Sequence, residues 1–204
     1  MKESSNKFKI FIWTLFDFAN TSYSIVVVTF IYAVYFKDVV AQGEPIGDFY
    51  WSIGISISML ISGIIAPILG AVADYSAGKK RFLLFFSLLS ILSTALLFFV
   101  QEGMIFWGIF LFTLANIGFE SGLVFYDAFL PELTTPKNYG RVSGYGFAFG
   151  YLGSLVSLAI VFPFIQAEMI RETFPIAALF FFIFAAIENA FSYFLRNGLK
   201  LSIM

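Results

Sequence analysis

Cysteine and histidine are absent from this chain, and charge is scarce. Without cysteine there are no disulfides and no thiolate metal sites, and the redox compartment stays open. Without histidine the commonest general base and metal ligand is missing. Only 12 % of the 204 residues are charged, where roughly a quarter is usual in soluble domains. A net charge of −1 argues against nucleic acid as a partner. No stretch alternates with period two, which disfavours a β-barrel. What fills the chain is apolar: 60 % hydrophobic residues, including 29 phenylalanines. One small globule cannot hide that much, so lipid must be the solvent for part of it.

A spanning helix needs about 20 mainly apolar residues. Six stretches qualify: residues 8–36, 49–73, 82–100, 104–130, 142–165 and 174–195, with 196–204 as a short tail. The expected fold is an all-α membrane protein of six transmembrane helices forming one bundle over 1–204. The basic N-terminus and the long first stretch read as a retained span rather than a cleaved leader. Short connectors carry breakers such as Gly43-Glu44-Pro45 and Glu102-Gly103. Ten of the twelve Lys and Arg residues fall at the two ends or in the second and fourth loops, leaving Lys37 and Arg171 opposite. The positive-inside rule then puts both termini in the cytoplasm. The expected location is the plasma or inner membrane, or the vacuolar membrane in a eukaryote. Trp13, Trp51 and Trp107 fall where interfacial anchors are expected.

Phe16-Asp17-Phe18-Ala19-Asn20 in the first stretch aligns with Phe112-Thr113-Leu114-Ala115-Asn116 in the fourth. These spans run in opposite directions, as a 3+3 inverted repeat requires. The alternative, plain helix composition, is equally compatible with so short a match.

Ionisable groups in hydrocarbon cost a few kcal/mol each. Asp17 sits about 13 Å into the first span at 1.5 Å per residue. Asn116, Glu120 and Asp127 recur at spacings of four and seven on one helical face. Glu188 and Asn189 occupy the sixth span. No Lys or Arg lies at the same depth. One reading is a polar cavity in which a proton or bound cation balances the carboxylates. The other is structural, with Asp127 paired to Arg141 and Glu188 snorkelling to the headgroups. Small residues form a second pattern, Gly144, Gly146, Gly150 and Gly153 in the fifth span and Gly63, Ala66 and Gly70 in the second. Such spacing lets membrane helices approach closely. In the second loop, Gly70 and Asp74 precede Gly78 and the basic run Lys79-Lys80-Arg81. Asp74 suits a helix N-terminus, and the run suits anionic lipid or carboxylates of another loop.

This loop resembles the signature between spans two and three of the major facilitator superfamily, Gly-x-x-x-Asp-Arg-x-Gly-Arg-Arg/Lys. Gly70 and Asp74 match; Tyr75 replaces the arginine, and one extra residue precedes Gly78. Trp13-Thr-Leu-Phe-Asp17-Phe-Ala-Asn20-Thr, Phe125-Tyr-Asp127-Ala-Phe-Leu-Pro131-Glu132-Leu and Gly140-Arg141-Val-Ser-Gly144-Tyr-Gly146 are similar to the branch of vacuolar amino-acid effluxers of autophagy. The resemblance implies an N-terminal six-helix half of a twelve-span secondary transporter working by alternating access. Fungal members are associated with export of neutral amino acids. On this reading Asp17, Asn20, Asn116 and Glu120 line the path. Gly70, Asp74, Lys79, Lys80, Arg81, Asp127 and Arg141 belong to the inner gate. The expected partners are the bilayer, a small solute with a proton or cation as coupling ion, and a second six-helix half or a second copy. No cofactor, metal or enzymatic activity is expected. A truncated, non-transporting scaffold stays open as the alternative.

Overall fold

The computed structural model describes the backbone of residues 2–76 and 78–201 and the side chains of 7–72 and 78–187. The chain is an all-α membrane protein, and among the described residues there is no strand. Its elements are α1 (Lys2–Tyr23), α2 (Ile31–Tyr35), α3 (Ile46–Ser76), α4 (Lys79–Leu96), α5 (Ile105–Asp127), α6 (Leu130–Leu133), α7 (Tyr139–Gln166) and α8 (Thr173–Leu201). Among the described residues five runs are long and apolar enough to cross a membrane: Lys7–Val40, Ile46–Val72, Lys79–Phe99, Ile105–Leu133 and Pro136–Gln166. α8 carries a shorter apolar run over its described part, Thr173–Ile187, and continues as helix to Leu201.

The first span is not a plain α-helix. Two π-helical segments, Ser24–Phe30 and Phe36–Val40, flank α2 and carry the span to Val40. Nothing in the apolar pattern of residues 24–40 announces them. The turn beyond, and the one before α5, hold Gly43 and Gly103 at φ of 71° and 78°, a backbone region that glycine enters without a Cβ clash.

Packing follows a simple scheme. α1 lies against α7 and α8, α5 lies against α3 and α4, and α4 meets α8. The sequential pairs α3–α4 and α7–α8 touch little. Exchanging α1 with α5, α3 with α7 and α4 with α8 maps this scheme onto itself, as a two-fold internal repeat requires. α3 and α7 bury the smallest part of their surfaces. Leu60, Ile64 and Ile68 on α3 and Phe147, Tyr151 and Leu155 on α7 are exposed.

Two aromatic clusters occupy the ends of the first span. Near the start, Trp13 stacks on Tyr126 at 4.3 Å between ring centroids, and Phe16 lies 4.9 Å from the same ring. Near the far end, Tyr32 sits among Phe36, Trp51, Phe112 and Phe174. Trp13 and Trp51 are therefore core residues, contrary to the expectation of interfacial anchors; Trp107 is exposed. The reason lies in their partners. The Trp13 Nε1–H donates to the Tyr126 carbonyl at 3.2 Å, and Trp51 stacks on Phe112 at 4.2 Å. Ring stacking adds about 0.5–1.5 kcal/mol to the burial of each side chain.

The closest helix crossings are made by glycine. A Cβ on Gly118 would stand 2.6 Å from the Ser90 backbone nitrogen and 2.7 Å from the Phe86 carbonyl oxygen of α4. One on Gly153 would run into the Phe18 backbone of α1. Gly63 on α3 has nothing within 4 Å. Gly118→Ala and Gly153→Ala should each lower unfolding stability in micelles by about 1–3 kcal/mol, the usual cost of overpacking. Gly63→Ala should change little. Equal midpoints for all three proteins would contradict these crossings.

Candidate functional site

Near the middle of the first span, Lys7–Val40, the polar residues separate into two groups. The first is sealed. Asn116 on α5 is buried, donates from Nδ2 to Ser58 Oγ of α3 at 2.8 Å, and accepts at Oδ1 from the Tyr23 hydroxyl at 3.3 Å. Ser121 Oγ donates to Ser62 Oγ at 3.3 Å one turn further on. Both links join α5 to α3, in the manner of polar side chains between membrane helices.

The second group is open. A crevice of about 480 Å³ lies between α1, α5 and α7, lined by Asp17, Asn20, Phe119, Leu123, Phe147 and Tyr151 among others. Asp17 accepts at Oδ2 from the Tyr126 hydroxyl at 2.8 Å. Gly146 lies so close beneath this carboxylate that a Cβ would collide with it. Thr21 ties the wall together by donating from Oγ1 to the Gly150 carbonyl at 2.8 Å. Asn20 is 2 % exposed, and its amide nitrogen has no hydrogen-bond partner. It stands beside Asp17, at a geometry short of a bond. A buried amide left unmatched costs about 1–3 kcal/mol. Three other buried atoms lack partners among the described residues, the hydroxyls of Ser87, Ser90 and Thr94. All three lie on α4 and outside the lining of the crevice. Among the described residues no Lys or Arg lines the crevice, so its only formal charge is that of Asp17.

The structure thus brings Asp17 and Asn20 together in one crevice and puts Asn116 in the sealed ladder. Glu120 is half-buried and acts electrostatically on Tyr23, outside the crevice lining. Asp127, at the end of α5, is exposed and within electrostatic reach of Asp17. Arg141 does not pair with it; its Nη2 donates to Asn138 Oδ1 at 3.2 Å. Tyr126, which orients Asp17, was not among the residues selected from sequence. Its place in the Phe125-Tyr-Asp127 segment, which carries part of the family resemblance, is the signal that points to it.

At the second loop, Gly70 stands in open space on α3. The side chain of Asp74 lies outside the described residues, as do those of Glu188 and Asn189. Lys79, Lys80 and Arg81 form the first turn of α4, where the helix dipole disfavours positive charge. Lys79 reaches away from that end, with Nζ 3.4 Å from the Ala128 carbonyl and 3.4 Å from Glu132 Oε1. It thereby caps the C-terminal end of α5, where cations are favoured. Lys80 and Arg81 are half-buried and exposed, respectively.

Truncating the two asparagines should separate their roles. Asn116→Ala leaves the Tyr23 hydroxyl and Ser58 without a partner and should cost about 1–3 kcal/mol of unfolding stability. Asn20→Ala removes an amide nitrogen that stands beside Asp17 without a well-formed hydrogen bond and should cost clearly less. The reverse order in thermal unfolding would make Asn20 the structural residue.

A family model described as vacuole effluxer Atg22 like matches residues 50–193. An MFS-type transporter of Bacillus subtilis (strain 168), YxiO, is 38 % identical over 182 residues, covering 85 % of this chain and 42 % of that protein. A protein of Aquifex aeolicus (strain VF5) is 34 % identical over 140 residues, covering 66 % of this chain and 34 % of its own length. Autophagy-related protein 22 of Coccidioides immitis (strain RS) is 36 % identical over 78 residues, covering 38 % of this chain and 13 % of that protein. The chain spans less than half the length of these curated relatives. No solved structure matches it.

Proposed function

Because the chain belongs to the vacuole effluxer Atg22-like family, within the major facilitator superfamily, we propose that it forms one six-helix half of a secondary transporter for a small polar solute, an amino acid by preference. The observation that carries this reading is the Asp17–Asn20 pair in the crevice between α1, α5 and α7. A carboxylate and an unmatched amide donor at hydrocarbon depth offer one acceptor and one donor to a solute. Phe119, Phe147 and Tyr151 supply apolar walls for the remainder. Asp17 takes an ammonium group, a proton or another cation, since nothing else in the lining balances its charge.

Alternating access needs a second bundle to move against. The uncovered apolar faces of α3 and α7 favour such a neighbour, either a C-terminal half or a second copy. In this reading Lys79, held between Ala128 and Glu132, braces one end of the bundle as part of a gate with Gly70, Asp74, Lys80 and Arg81. Both termini lie on the cytoplasmic side.

Uptake of labelled neutral amino acids into proteoliposomes, with and without a proton gradient, tests the assignment. Asp17→Asn and Asn20→Ala should each lower flux about tenfold or more, the equivalent of one charge-assisted hydrogen bond. Flux equal to wild type in both variants removes the crevice as the path. Flux no greater than in empty vesicles favours a non-transporting scaffold instead.

A further inference from the structure

The α1–α7 seam has a second hollow whose chemistry is opposite to that of the crevice. A groove of about 560 Å³ runs along it at the ends marked by Lys7 and Arg141. Its α1 wall carries Lys7, Ile10, Phe11 and Thr14, spaced three and four apart and so on one helical face. Arg141, Tyr145 and Phe149 form the facing wall, and Thr134 closes the end. Phe11 and Phe149 meet edge to face at 5.7 Å between ring centroids. Among the described residues neither Lys7 nor Arg141 makes an ion pair and the lining contains no carboxylate. Arg141 spends one N–H on Asn138, which leaves most of its five donors free.

We propose that this groove binds the phosphate headgroup of an anionic phospholipid from the adjoining leaflet. Two cations without an ion-pair partner among the described residues supply the attraction, and Thr134 offers a hydroxyl in the same lining. The apolar floor of Ile10, Phe11 and Phe149 accepts the start of an acyl chain. A free phosphate ion would satisfy the cations and leave that floor bare, so the intact lipid is the better match. The site is independent of the solute path, because the crevice residues Asp17 and Asn20 take no part in it.

Protein reconstituted in nanodiscs of phosphatidylcholine with a minor share of phosphatidylglycerol tests this. Retained lipid is counted by native mass spectrometry after release into detergent. Wild type should keep phosphatidylglycerol in preference to phosphatidylcholine. Each of Lys7→Gln and Arg141→Gln should weaken retention about fivefold and the pair roughly thirtyfold, at about 1 kcal/mol per cation. Lys137→Gln, a loop cation outside the groove, should retain the lipid as wild type does. Millimolar inorganic phosphate should not displace it. No preference in wild type overturns the proposal, as does loss in Lys137→Gln equal to that in the groove variants. Displacement by inorganic phosphate overturns the lipid as occupant.

Discussion

Inside a bilayer a polar atom cannot turn to water, so hydroxyls, amides and indole N–H groups gain by finding a protein partner. The first span shows how far this constraint reaches. The hydroxyls of Tyr32 and Tyr35 donate to the carbonyls of Gly108 and Val100 at 2.9 and 2.8 Å, and Ser22 donates to the Ala177 carbonyl at 3.2 Å. Trp13 does the same with Tyr126. Each bond crosses from one helix or connector to another, so the same contacts that satisfy polar atoms also fix which helices are neighbours. Asn20 is the exception on this span, and it is an exception at the crevice. The unmatched hydroxyls of Ser87, Ser90 and Thr94 lie on α4, away from the crevice.

Much of the architecture could be read from composition and spacing. The apolar stretches, their glycine-punctuated connectors and the family resemblance all correspond to what the helices and the comparisons show. Hydrophobicity reports where lipid replaces water, and that property survives without knowledge of tertiary contacts. The site was only partly legible. Asp17 and Asn20 could be selected as polar residues at hydrocarbon depth, but Asn116 carries the same signal and sits in a sealed ladder. What separates the two asparagines is their neighbours, Ser58 and Tyr23 in one case and an open crevice in the other. Sequence spacing within one helix cannot supply that. The tryptophans were misread for a related reason. Their positions near span ends suggested headgroup contact, whereas ring stacking on Tyr126 and Phe112 drew Trp13 and Trp51 inward.

Opposite electrostatics on one helix pair follow from how α1 and α7 meet. Along their glycine-lined contact, Gly153 meets the Phe18 backbone, Gly150 meets Thr21, and Gly146 leaves space that the side chains of Asp17, Tyr126 and Trp13 fill. One flank collects Asp17 and Asn20, and the other collects Lys7 and Arg141. The missing side chain at Gly146 is what gives the Asp17 carboxylate its place beside α7.

The π-helical segments of the first span have a further meaning. Each lets a helix accommodate an additional residue within a turn, shifting the angular phase of everything that follows. Before Ser24 the span leans on α7 and α8; by Phe36–Val40 its contacts have passed to α3 and α5. A soluble protein would make such a change of company with a loop, which hydrocarbon forbids because a loop bares its backbone. Here the rod turns on its own axis instead, handing itself from one pair of helices to another while staying helical.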